Sequence, residues 1–146
     1  MKIKRMMALV LACALMLACM AASAEGIFYN AYAQEVVRQV NMEREKRGLN
    51  PLSVDANLTA AANIRAREIT QKFSHTRPNG SRAVTVSNFA YAENIARGQK
   101  TPDKVMAAWL TSDGHRQNML RASYGTIGVS CIRVGNIYYW VQLFGK

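Results

Sequence analysis

Thr126-Ile127-Gly128-Val129-Ser130-Cys131-Ile132-Arg133-Val134-Gly135-Asn136-Ile137-Tyr138-Tyr139-Trp140-Val141-Gln142-Leu143-Phe144 is the stretch that decides the fold. Two β-rich runs, Thr126–Val134 and Ile137–Phe144, flank Gly135-Asn136. That pair suits the central positions of a type II′ turn, because glycine takes a positive φ freely at the first of them. A two-residue loop pairs Val134 with Ile137, and hence Cys131 with Trp140 and Val129 with Gln142. Alternation then places Ile127, Val129, Cys131, Trp140 and Phe144 on one face. Ile132, Val134, Ile137, Tyr139, Val141 and Leu143 take the other. A sheet apolar on both faces must be covered on both. Helices are the only cover the rest of the sequence offers, so the hairpin belongs in the central sheet of an α/β, three-layer α-β-α sandwich.

The preceding sequence supplies those helices. Phe28, Tyr32, Val36 and Val40 recur every fourth residue, the mark of an amphipathic helix, and Arg44 to Arg47 continue its solvated face. Gly48 suits the C′ position and Pro51 forbids continuation. A second helix is expected from the N-cap Asp55 to about Lys72, with the stripe Leu58, Ala62, Ala66, Ile69 and Phe73. Arg65, Arg67, Glu68 and Lys72 fall outside that stripe, and its alanines invite close approach by a neighbour. Thr101-Pro102 reads as N-cap plus N1 proline of a third helix through Val105, Ala108 and Trp109. Ser112-Asp113-Gly114 interrupts it before a helical turn from His115 to Leu120.

Of the 146 residues, 50% are hydrophobic and 19% charged, which excludes a disordered chain. Lys2, Lys4 and Arg5 precede an uncharged apolar run from Met6 to Ala22, and Ala22-Ser23-Ala24 follows the small-x-small pattern of an export cleavage site. The expected division is therefore a signal peptide over 1–24 and one domain over 25–146. The mature protein is then secreted, extracellular or periplasmic. An uncleaved anchor and lipidation at Cys19 are the alternatives to that cleavage. Cys13 and Cys19 leave with the signal, so Cys131 remains alone, opposite Trp140 and expected to be buried as a small hydrophobe.

Between Ser74 and Gln99 the periodicity lapses, and a polar loop of that length is often functional. It carries His75 and, in Tyr91-Ala92-Glu93-Asn94-Ile95-Ala96, an acid within an otherwise apolar stretch. The second histidine of the domain, His115, lies in Ser112-Asp113-Gly114-His115-Arg116-Gln117-Asn118. Neither spacing matches a sequential metal motif. The residues alone leave open a shared His/Glu site, or two hydrogen-bonded loop histidines and an N-cap glutamate.

The ordered set Asn41-x-x-Arg44, Gly48-Leu49-x-Pro51-Leu52, Phe73-Ser74-His75, Ala92-Glu93-Asn94-Ile95, Trp109-x-x-Ser112-x-x-His115-Arg116-x-Asn118-x-Leu120 and Tyr139-Trp140-Val141-Gln142-x-Phe144-Gly145 resembles the CAP superfamily. That family holds cysteine-rich secretory, antigen 5 and pathogenesis-related proteins, and the likeness is to its compact bacterial, SCP-like branch over residues 33–145. The resemblance implies an α-β-α sandwich whose cavity, lined by two His and two acids, holds a divalent cation. Carried over by motif, His75, Glu93 and His115 are the implied metal ligands. Ser112 stands where many eukaryotic members place the second acid, giving the cavity set His75, Glu93, Ser112 and His115.

The resemblance implies a secreted binding module, with Zn²⁺ or another divalent cation as the cofactor. The alternative is a metal-dependent hydrolase of peptide or envelope substrates, since a His₂Glu site with an open position lowers the pKa of bound water. The formal charge of +10 adds a third reading. Arg65, Arg67, Lys72, Arg77, Arg82, Arg97 and Lys100 form a cationic surface suited to lipid headgroups or anionic cell-envelope polymers. Export removes the protein from nucleic acid, and the expected state is a monomer.

Overall fold

A computed structural model of the protein describes residues 26–146. The expected export segment, residues 1–24, lies outside the described residues. The elements in order are β1 (Ile27–Phe28), α1 (Asn30–Glu45), β2 (Ser53–Val54), α2 (Ala56–Gln71), a 3₁₀ turn (Ala83–Val86), β3 (Ala92–Arg97), α3 (Pro102–Thr111), α4 (Asp113–Leu120), β4 (Thr126–Val134) and β5 (Ile137–Gly145).

The terminal hairpin has the expected register, with Val134 opposite Ile137, Cys131 opposite Trp140 and Val129 opposite Gln142. Gly135 takes φ +57° and no non-glycine residue among those described has a positive φ, which fits type II′ and rules out I′. The sheet runs β1-β4-β5-β3, and β2 pairs in parallel with β4. The outer edge of β4 thus carries two separate short strands: β1 at Ile132–Arg133 and β2 at Thr126–Ile127. β3 forms the opposite edge, beside β5.

Both sheet faces are covered by helices. Val36 and Val40 of α1, Val105, Met106 and Trp109 of α3, and Met119 of α4 pack on Ile127, Val129, Cys131, Trp140 and Phe144. On the other face Leu58, Ala61, Ala62, Ala66 and Ile69 of α2 pack on Ile132, Tyr139, Val141 and Leu143. Asp55 caps α2 by accepting from the Leu58 N–H at 2.8 Å, and Thr101 caps α3 by accepting from the Lys104 N–H at 3.3 Å. The α2 layer sits very close: a Cβ added at Gly128 would run into the Leu58 carbonyl group. Only glycine permits that approach.

Several expectations are corrected. Phe28 belongs to β1 rather than to the first helix. Phe73 lies beyond α2, is 41% exposed, and packs under the Arg97 guanidinium. The stretch read as a continuous loop contains the 3₁₀ turn and β3. Arg44, placed on the solvated face, is fully buried. Its Nε donates to the Asn50 carbonyl at 2.7 Å, and its Nη1 to those of Met119 (2.9 Å) and Arg121 (3.1 Å). Its Nη2 donates to the Tyr124 carbonyl at 3.2 Å, so one guanidinium ties α1 to the end of α4 and the turn before β4. No carboxylate is among these partners, and burial lowers its pKa.

Candidate functional site

The edge strand β3 sorts its side chains by alternation. Glu93 pairs with Leu143 and shares the α2 face, whereas Asn94 pairs with Gln142 and faces α4. From α2, Arg65 reaches Glu93, with Nε 2.6 Å from Oε2 and Nη2 3.1 Å from Oε1. From the loop after α2, His75 Nδ1 lies 2.9 Å from Glu93 Oε1. An ionised carboxylate only accepts, so Nδ1 carries a proton, and Nε2 is the ring nitrogen left uncommitted. The Arg65 and Glu93 side chains are 0% and 2% exposed, and that of His75 is 58% exposed. A buried ion pair therefore holds a solvent-facing imidazole.

The pairing extends behind Arg65. Its Nη1 donates to Glu68 Oε2 at 2.6 Å, and Arg77 Nη2 donates to Glu68 Oε1 at 2.7 Å. Burial opposes the Arg65 charge, but the bonds to Glu93 and Glu68 outweigh it and raise its pKa. Burial likewise opposes ionisation of Glu68, and Arg77 and Arg65 overcome it, lowering its pKa. Arg65 Nη2 also donates to the Ser74 carbonyl at 2.8 Å, fixing the backbone beside His75.

On the α4 side an amide network closes the strand. Asn94 Nδ2 donates to the His115 carbonyl at 3.0 Å and to Gln142 Oε1 at 2.9 Å. Asn118 Nδ2 donates to Asn94 Oδ1 at 2.9 Å. The His115 imidazole has a lowered pKa, first from burial and then from the charge of His75, so it is neutral at pH 7. A cleft of about 380 Å³ opens at this edge, lined by His75, Arg82, Tyr91, Glu93 and Asn118 among others.

Of the residues singled out in the sequence, His75 and Glu93 are joined directly, and His115 stands behind them on α4. Among the described residues, Ser112 makes no hydrogen bond to any of the three. It sits between α3 and α4 as the residue preceding α4, and its side chain makes no capping bond. The neighbouring Asp113 points to solvent, 81% exposed and paired with Arg116. Arg65 and Arg77 are consumed by Glu93 and Glu68, which removes both from the expected cationic surface. Arg65 is the site residue that sequence reasoning misses. It lies four residues after Ala61 and four before Ile69, on the apolar stripe, and only its charge hides that position.

The fit to a divalent cation is partial. The neutral His115 imidazole is in the protonation state a metal ligand requires, and the Nε2 of His75 is uncommitted. The Glu93 carboxylate does not fit as it stands, because Arg65 and His75 already occupy both of its oxygens. Among the described residues, no three His, Cys, Asp or Glu side chains gather closely enough to hold a metal ion.

Comparison with known proteins follows the same lines. The profile described as CAP, the cysteine-rich secretory protein family, matches residues 37–144. An uncharacterised Bacillus subtilis (strain 168) protein, YkwD, is 39% identical over 123 residues, which are 79% of this chain and 47% of that protein. The chain thus spans about half the length of that relative. An outer surface protein of Borrelia burgdorferi superposes with a TM-score of 0.73 at 21% identity, over 84% of this chain and 98% of that one. An extracellular Bacillus anthracis protein containing an SCP domain gives 0.69 at 24% identity, over 80% of this chain and 41% of that one.

Proposed function

The chain belongs to the cysteine-rich secretory protein family, and we propose that it is an exported binding module whose cleft at the β3 edge grips a phosphodiester, the group shared by lipid headgroups and anionic envelope polymers. One observation carries this reading: a half-exposed imidazole is locked through Nδ1 by a buried Glu93–Arg65 pair, beside the exposed Arg82, in one cleft. Inside that site Arg65 and Arg77 cancel Glu93 and Glu68. The groups left facing a ligand are the His75 ring at Nε2, the Arg82 guanidinium and the Tyr91 phenol. The guanidinium and the phenol donate, as does the imidazole from Nε2 in its protonated form, and all three are complementary to phosphate oxygens. Export is supported by the leader-like sequence of residues 1–24 and by the extracellular and outer-surface descriptions of the two structural neighbours.

Isothermal titration tests the proposal, with a soluble glycerol-phosphate oligomer in one arm and phosphatidylglycerol vesicles in the other. Binding in both arms, roughly fivefold or more weaker for His75→Ala and Arg82→Ala, is expected from losing a charge-assisted bond. Equal affinity in wild type and both variants refutes the cleft as the seat.

A second reading, a metal-dependent hydrolase, draws on the neutral His115 and the free Nε2 of His75. It requires Glu93 to leave Arg65. Zn²⁺ titration of wild type and His115→Ala separates the readings: loss of Zn²⁺ affinity in the variant favours the metal, and equal affinity removes it.

A further inference from the structure

The opposite edge of the sheet holds an unclaimed site. The two-residue loop makes Val134 and Ile137 a hydrogen-bonded pair, so even-numbered residues of β4 bond to β5. The odd-numbered residues then aim their N–H and C=O at the outer edge. Two bonds agree: the Tyr29 N–H donates to the Cys131 carbonyl at 2.8 Å, and the Asp55 N–H to that of Ile127 at 3.0 Å. β1 ends at the residue before the first of these donors and β2 at the residue before the second, which leaves Val129 between them. Among the described residues, nothing hydrogen-bonds the Val129 N–H or C=O, or the Cys131 N–H. Unpaired backbone groups within a sheet are rare and call for a partner.

That gap is a pocket rather than a flat edge. It has a volume of about 310 Å³ and is lined by Asn30, Ala33 and Gln34 of α1, Thr59 and Asn63 of α2, and Val129, among others. Asn63 Oδ1 accepts from the Ser130 hydroxyl at 2.8 Å, which leaves its NH₂ group free to donate. From Ile127 to Cys131 the strand spans about 13 Å, room for a dipeptide. The open donor and acceptor of one residue, ringed by carboxamides and without a charged group in the lining, match an uncharged amide. They match neither a phosphate nor a cation.

We infer that this slot binds a short extended peptide, whose backbone fills the gap between β1 and β2 by pairing with Val129. The seat is distinct from the His75 cleft, because β1 and β3 are opposite edges of the sheet. The recognition is main-chain addition to an open strand edge, so it reads the peptide bond before any side chain.

The test uses the ¹⁵N-labelled chain and N-acetyl-alanyl-alanine N-methylamide as probe. In the free protein, the Val129 and Cys131 amides should exchange with solvent faster than those of Ser130 and Ile132, which bond to β5. On titration the two odd-numbered resonances should shift and their exchange should slow. The ester analogue, with lactate replacing the second alanine, lacks one N–H and should bind roughly tenfold weaker. Ala33→Phe, which fills the slot from α1, should abolish the shifts. Equal affinity for peptide and ester, shifts confined to His75, Arg82 and Asn118, or no shift at millimolar probe would each overturn the assignment. The ester comparison uses the unaltered chain, so it decides the matter even if Ala33→Phe fails to fold.

Discussion

Replacing Arg65 with methionine is the perturbation with the largest consequence. The substitution keeps most of the side-chain volume against Ala61, Ala62 and Ile69 but removes the charge and every donor. Three partners are then stranded: Glu93, Glu68 and the Ser74 carbonyl. Glu68 keeps Arg77, and Ser74 is half-buried, so the loss concentrates on Glu93, whose side chain is 2% exposed. Breaking a buried ion pair from one side costs about 3–5 kcal/mol. For a domain of this size that lowers Tm by roughly 10–20 °C. Urea denaturation should report it as a lower midpoint at unchanged slope. The loss should be smaller at pH 5 than at pH 8, because an unpaired buried carboxylate has a raised pKa and protonates to escape the penalty. Glu93→Gln on top of Arg65→Met should recover part of the stability, since no buried charge then remains. A single-variant loss below about 1 kcal/mol, or one independent of pH, would show that the pair does not hold the site.

Four further outcomes follow from the packing and the titrating groups. Arg44→Met leaves four carbonyls without their donor and should cost about 3–5 kcal/mol in the same denaturation assay. Gly128→Ala drives a Cβ into the backbone of α2 and should cost about 3 kcal/mol or more, whereas Gly114→Ala, which meets nothing within 4 Å, should stabilise by roughly 0.5 kcal/mol. The Cys131 thiol, pushed up to about 12 by burial, should resist a thiol reagent in native buffer and react promptly in urea. His115 has a folded pKa below its ordinary value, so the unfolded chain binds protons more readily. Its contribution to stability is therefore complete above pH ~6.5 and lost as pH falls through the lower, folded value. His115→Gln should flatten that part of a Tm-against-pH curve.

What could be read from the sequence, and what could not, divides by the range of the interaction. The β4–β5 register came from a local turn and a period of two, and the caps at Asp55 and Thr101 from local side-chain chemistry. β1 and β2 were invisible because two residues cannot display an alternation, and β3 was masked by the polar flanks of its apolar run. Arg44 and Arg65 were misplaced for one shared reason. Each stands on the apolar period of its helix, Arg44 four residues after Val40 and Arg65 four before Ile69, and each was assigned to solvent because it is charged. What bonds to them lies far along the chain: Glu93 is 28 residues from Arg65, and the Met119 carbonyl 75 from Arg44. No local pattern carries that information. His75, Glu93 and His115 were singled out through their motifs, but the motifs gave no sign that Glu93 is held by a guanidinium. The same limit applies to Ser112, which follows a buried Trp109 yet lies at a helix junction away from the cleft lining.

If the His75–Glu93 cleft is where the protein meets its ligand, chemical-shift mapping of the ¹⁵N-labelled chain with a glycerol-phosphate oligomer shows it most directly. Saturable shifts should centre on His75, Arg82, Tyr91 and Asn118, and in a folded His75→Ala protein they should need roughly fivefold or more ligand to reach saturation. Shifts spread evenly over the exposed Arg67, Lys72 and Lys100, with His75 and Asn118 unmoved, would contradict that claim and leave binding to surface charge alone.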